Sequence, residues 1–199
     1  MTAPDIRAAL HERLSAPRAA HSERVAEAAA HLAACHGLDA EAARLAGWLH
    51  DWYKEVPVGE IVALARSCGV LGDAVPAEEV VPSVLHGPVA ARLLPQRWPD
   101  LSPAVLDAVD RHTTGDPAMT AFDCCLYVGD MIEAGHDWPG VEELRGLAVR
   151  DLWAATLSGM ETGLRHLLER GRAVDLRTVA ARNAVLRRVR GSGGAGAPG

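Results

Sequence analysis

The chain has 199 residues, 49% of them apolar, with alanine and leucine abundant and aromatics at only 4%. That length fits one domain in the common range of about 100–200 residues, and the composition favours close-packed helices over a β-sandwich. A formal charge of −6 speaks against a general nucleic-acid surface, and no run approaches the roughly 20 apolar residues of a membrane span.

Start and stop signals predict helices almost throughout. A first runs over about Asp5–Leu14 and a second over Pro17–Cys35, stopped by Gly37. A third, capped by Asp39, reaches Tyr53 and Lys54 before Pro57 bars its continuation, and a fourth covers Gly59–Ser67. After a loop with Gly69, Gly72 and Pro76, a helix carrying Leu85-His86-Gly87 stops near Pro95, and Ser102-Pro103 opens the next. The turn Thr113-Thr114-Gly115-Asp116-Pro117 ends that helix. Thr120 and Asp123 form a variant capping box for another, and further helices cover Val141–Ala148, Leu152–Glu169 and Leu176–Arg188. The expectation is all-α: a compact single-domain helical bundle, with an N-terminal helix in residues 1–16, a core over 17–190 and a disordered Gly-rich tail over 191–199. Four cysteines without a CxxC pair suit free thiols in a reducing compartment. Met-Thr-Ala-Pro-Asp lacks a basic region followed by an apolar run, so a cytoplasmic location is expected.

Polar groups on apolar stripes single out candidate functional residues. His86 precedes Val89, Ala90 and Leu93, and His112 follows Val105, Ala108 and Val109. His21 leads Val25, Ala28, Ala29 and Leu32, His50 shares a face with Ala43, Ala46 and Tyr53, and Asp130 follows Phe122 and Leu126. One inward histidine is more often a satisfied core residue than a ligand. Several, with an Asp directly after a His, point instead to one internal metal site, because a buried carboxylate needs a cation and neutral imidazole is the commonest metal ligand. Neighbouring helix positions are rotated by about 100°, so His50 and Asp51 could approach an ion from two directions.

The ordered set His21, His50-Asp51 and Asp130 resembles the signature of the HD-domain metal-dependent phosphohydrolases. Several stretches narrow the resemblance: Arg18-Ala19-Ala20-His21, Ala46-Gly47-Trp48-Leu49-His50-Asp51 with Lys54-Glu55, Leu85-His86-Gly87-Pro88-Val89 and His112-Thr113-Thr114-Gly115. Tyr127-Val128-Gly129-Asp130-Met131-Ile132-Glu133, Pro139-Gly140-Val141-Glu142-Glu143-Leu144-Arg145 and Ala181-Arg182-Asn183 extend it. Over Arg18 to Asn183 the chain is similar to the YqeK-type HD hydrolases. The resemblance implies symmetrical cleavage of diadenosine tetraphosphate to two ADP.

It further implies iron, or another divalent first-row metal, at His21, His50, Asp51 and Asp130. His86 and His112 would lie against the phosphates or complete a second ion site with Asp51 bridging; one ion and two both remain open. In that reading Asp51, Lys54, His86 and His112 carry the catalysis, and Arg18, Thr113, Thr114, Gly115, His136, Arg145 and Arg182 join the two histidines in substrate contact. Lys54 could equally be a solvated helix-end lysine, and Thr113–Gly115 a plain helix-ending turn. Asp116 and His136 stand where family members typically carry Arg, and Gly129 replaces a small Ala. The partner implied is a dinucleoside polyphosphate or nucleoside diphosphate, with no nucleic-acid polymer and no membrane; a homodimer is compatible with a compact helical hydrolase. Two other readings share the ligand order: a nucleotide-binding sensor with little turnover, and an HD-type di-iron oxygenase.

Overall fold

Polar side chains close the open amides of the helix starts where the sequence marks them. Ser15 accepts from the Arg18 amide, Asp39 from Ala42 and Ser102 from Val105. Thr120 and Asp123 exchange side-chain-to-backbone bonds of 3.2 and 2.8 Å in a true capping box. The structure, a computed structural model, describes residues 3–193. Those residues form α1 (Ala3–Arg13), α2 (Ala16–Cys35), α3 (Ala40–Leu49), α4 (Val58–Ser67), α5 (His86–Arg97), α6 (Pro103–Arg111), α7 (Ala121–Ile132), α8 (Val141–Arg150), α9 (Leu152–Glu169) and α10 (Leu176–Gly193). Two short 3-10 turns, Ala77–Glu79 and Pro82–Val84, precede α5, and no strand occurs among the described residues. The fold is all-α.

The spine is α2. Helices α3 and α7 pack on it, α6 closes against α3 and α7, and α5 lies against α6. Helix α9 covers α7, with α8 and α10 packed on it in turn, while α1 sits against α2 and α3. Ile6 and Leu10 of α1 and Val185 of α10 share one buried cluster with Val25, Leu32, Leu49 and Leu126, so both terminal helices belong to the central core. A smaller cluster joins Ile61 and Ala65 of α4 to Leu85 and Val89. No described helix is long and apolar enough to cross a membrane.

Backbones come unusually close around the spine. A Cβ on Gly47 would stand 2.4 Å from Ala26 Cα, and one on Gly129 would stand 3.0 Å from Ala29 N. Ala26 and Ala29, at these contacts, are wholly buried, as are Ala19 of α2 and Ala46 of α3. The alanine-rich composition is thus a packing requirement, because only small residues let helix axes approach this far.

Several boundaries differ from the sequence expectation. Helix α3 ends at Leu49 rather than near Lys54, and the chain then tightens into turns, with the Trp52 amide on Leu49 O (3.1 Å) and the Lys54 amide on Asp51 O (2.9 Å). The cause is the His50 ring, whose Nδ1 bonds Gly47 O at 2.6 Å. That carbonyl is the one the Asp51 amide would need in a continuing α-helix. Helix α5 begins at His86 itself and runs through Pro95 to Arg97, and α10 extends beyond Arg188 to Gly193. Of the tail expected to be disordered, residues 194–199 lie outside the described residues.

Gly47→Ala should lower stability by about 1–3 kcal/mol through overpacking against Ala26. Gly59→Ala, whose Cβ meets nothing within 4 Å, should be neutral or stabilising by a few tenths to about 1 kcal/mol. Thermal denaturation of the two variants checks the contrast.

Candidate metal centre

Three imidazoles are anchored in the same way. The Nδ1 atoms of His50, His86 and His112 each bond the carbonyl three residues earlier: Gly47 at 2.6 Å, Ser83 at 3.0 Å and Val109 at 2.7 Å. A carbonyl only accepts, so each Nδ1 carries a proton, and in the neutral ring each Nε2 is left bare. His50 and His112 follow directly on the ends of α3 and α6, and His86 opens α5, so all three sit at helix ends rather than mid-stripe. His21 alone projects from mid-helix, on α2; its Nδ1 meets Glu133 Oε1 at 3.3 Å.

The bare nitrogens converge on two carboxylates. Asp51 divides its oxygens between two groups. Oδ2 faces His50 Nε2 at 3.5 Å and His21 Nε2 at 3.8 Å, while Oδ1 faces His86 Nε2 at 3.1 Å and His112 Nε2 at 3.8 Å. Asp130 Oδ1 completes the first group, 3.1 Å from His21 Nε2 and 3.8 Å from His50 Nε2. Gly87 permits the second group: a Cβ there would meet Val109 O at 2.6 Å and His112 Cε1 at 2.9 Å. With that clearance, His86 and His112 bring Nε2 to Nε2 at 3.0 Å, with the Thr113 hydroxyl 3.0 Å from the latter.

The donors fit a divalent cation. His50 Nε2 is buried with no hydrogen-bond partner, a costly arrangement for a polar atom unless a cation or proton takes the lone pair. Mixed imidazole and carboxylate donors are what first-row divalent metals take. The ligand atoms of His21, His50 and Asp130 lie within 4.8 Å of one another, as do those of His50, Asp51 and His112.

Without a metal, burial opposes charge on His50, but Asp51 and Asp130 beside it prevail and raise its pKa to about 9. Burial likewise opposes charge on Asp51, yet the imidazoles around it, His50 above all, hold its carboxyl well below the usual range. Burial dominates at His86 and pushes it down to about 4, leaving it neutral at pH 7.

The first group opens into a pocket of about 330 Å³ lined by Arg18, Lys54, Met131, His136 and Trp138. Arg18 Nη1 donates to Asp51 Oδ2 at 2.9 Å, Lys54 Nζ lies 3.5 Å from His86 Nε2, and the His136 ring meets that of His21 edge-on at 6.2 Å. Other expected substrate contacts are engaged elsewhere. Arg145 donates to the carbonyls of Ile132, Glu133 and His136, and Arg182 pairs with Glu161 on α9. Thr114 is buried, its hydroxyl on Gly115 O at 3.0 Å. Gly115, at φ +70°, would press a Cβ on Met160 and Ala181. Asp116 holds Arg177 of α10 at 3.0 Å, so a guanidinium does stand beside this turn, supplied from another helix. The sequence reading missed Glu133 as a site residue; its position three after Asp130, following Ile132, was the available signal.

The family model described as HD domain matches residues 18–155. The chain belongs to the HD-domain family. It is 34% identical over 137 residues to the symmetrical bis(5'-nucleosyl)-tetraphosphatase of Staphylococcus aureus, covering 69% of each chain. To the protein of the same name from Bacillus subtilis it is 30% identical over 169 residues, 84% of this chain and 88% of that one. The crystal structure of a predicted HD superfamily hydrolase involved in NAD metabolism, from Clostridium acetobutylicum, superposes with a TM-score of 0.86 at 31% identity, over 94% of this chain and 98% of that one. This HD protein is a hydrolase with a His/Asp metal-binding cluster.

The raised pKa of His50 fixes a pH dependence. Its folded value of about 9 exceeds the 6.5 of a free imidazole. In metal-free protein its stabilising contribution is therefore full below about 6.5 and lost as pH rises through about 9. A cation entering the first group must displace that proton. Metal uptake at pH 7 should release a proton and tighten as pH rises towards 9. Calorimetric titration in two buffers of different ionisation enthalpy measures it, and uptake without proton release would contradict the assignment.

Proposed function

We propose that this protein hydrolyses diadenosine tetraphosphate symmetrically to two ADP, with iron as the metal. The observation that carries the reading is the division of Asp51 between two donor groups beside a cation-lined pocket, in a chain whose relatives are named symmetrical tetraphosphatases. His21, His50, Asp51 and Asp130 would hold one ion. Asp51, His86 and His112 would hold a second, since Asp51 Oδ1 and the two imidazole Nε2 atoms, themselves 3.0 Å apart, face one another. When bound, the metal supplies Lewis acidity and an activated water.

The chain's own side chains have distinct tasks around that chemistry. Arg18 and Lys54, at the mouth of the pocket, bind and orient the polyphosphate; the planar guanidinium suits two oxygens of one phosphate. The Thr113 hydroxyl can donate to a phosphoryl oxygen. His136, in the pocket wall, replaces the family's guanidinium with a shorter side chain. Arg145, Arg182, Thr114 and Gly115 support the surrounding turns in this reading rather than touch phosphate. The relatives favour hydrolysis over the oxygenase and sensor readings.

Chromatography of products after incubating metal-quantified protein with diadenosine tetraphosphate tests the proposal. ADP alone, lost on chelation, is the expected result; AMP plus ATP would overturn the cleavage position, and nucleotide binding without turnover would favour the sensor. Asp51→Asn should lower both metal retention and turnover, the latter by at least about 100-fold. Arg18→Met should raise KM without lowering the metal content.

A further inference from the structure

Glu133 belongs to neither donor group, yet it is buried and bonded from three sides. Its carboxylate accepts from His21 Nδ1 at 3.3 Å, from Arg24 through Nε and Nη2 (the latter at 3.1 Å), and from the Gly135 amide at 2.6 Å. The turn that carries it is pinned from outside. Arg145 donates to the carbonyls of Ile132, Glu133 and His136 at 2.8, 2.8 and 2.9 Å, and Trp138 Nε1 donates to Met131 O at 3.2 Å. Gly135 leaves room for Arg24, whose guanidinium atoms would stand 2.8–3.0 Å from any Cβ there.

This construction answers a need specific to His21. The other three imidazoles fix Nδ1 on carbonyls at helix ends or in a turn. His21 sits inside α2, where the preceding carbonyls accept from the helix's own amides. It needs an acceptor from another part of the chain, and Glu133 supplies one from the end of α7. A metal-facing imidazole whose far nitrogen meets a carboxylate gains a fixed tautomer, a fixed ring plane and greater basicity.

We propose that Glu133, held by Arg24 and by the turn that Arg145 pins, is a positioning residue that fixes the tautomer and orientation of His21 so that Nε2 faces Asp130 and Asp51. The inference rests on the ligand role proposed for His21.

The test is titration of Co2+ into metal-free full-length protein, followed by visible absorption, with imidazole 15N shifts recorded before metal is added. Glu133→Ala should weaken Co2+ binding about 10–100-fold and populate the other His21 tautomer. Glu133→Gln, whose carbonyl still accepts a bond, should recover most of the affinity. A merely structural role would lower the melting temperature without moving the His21 shifts. Wild-type affinity and an unchanged tautomer in Glu133→Ala would overturn the inference. If Glu133→Ala does not fold, Arg24→Gln decides: it removes the anchor and leaves the carboxylate, and should weaken binding several-fold, so that unchanged affinity overturns the inference. His21→Ala separates the two claims, since retained Co2+ affinity there would remove the ligand role itself and this inference with it. None of these readouts depends on which substrate is cleaved.

Discussion

An imidazole that is to take a metal must turn an unprotonated Nε2 towards the shared space, and this is possible only if something else holds its Nδ1 proton. That requirement organises the structure. An α-helix ends with carbonyls that have no amide to serve. His50 and His112 occupy those ends, bonding Gly47 and Val109, while His86 uses Ser83 in the turn before α5. The same bond that fixes each of the first two rings also stops its helix. Asp51 follows at once in the turn and can spread its two oxygens over both donor groups.

Short donors impose a second constraint. Asp and His side chains extend only a few ångströms from their backbones, so helices carrying them must approach more closely than leucine-lined helices would. Gly47 against Ala26, Gly87 against Val109 and Gly129 against Ala29 provide that approach. The glycines are therefore distributed by the demands of the centre as much as by those of the core. Packing errors at these contacts would displace ligands as well as reduce stability.

The residues of the centre were legible in the sequence because polar groups on apolar stripes violate helical periodicity, and His21, His50, Asp51, His86, His112 and Asp130 do meet in space. Their local geometry was not legible. Periodicity carried α3 on towards Lys54, because nothing in a spacing pattern reveals that an imidazole has taken the next carbonyl. Arg145 reads as a phosphate contact from its motif, yet it pairs with Glu142 and donates to carbonyls 9–13 residues away in the chain. Asp116 reads as a lost cation, yet it positions Arg177, 61 residues distant. Long side chains reach partners that only tertiary structure defines, and Glu133 likewise meets its histidine across 112 residues of chain.

An acidic chain of net charge −6 for which a polyphosphate substrate is proposed needs a field at its pocket opposite to its field at large. Side chains alone begin that inversion. Arg18 lies on Asp51, Lys54 stands by His86, and the buried His50 imidazolium offsets Asp51 and Asp130 from below. The compensation is incomplete, because Arg18 cannot both neutralise Asp51 at 2.9 Å and offer its full donor set to a phosphate. Cations held by the two aspartates would release Arg18 towards the mouth while making the floor of the pocket attractive to phosphoryl oxygens. On this argument metal loading and substrate binding are coupled through one guanidinium, and the carboxylates that would repel the substrate in the metal-free protein become the reason it binds.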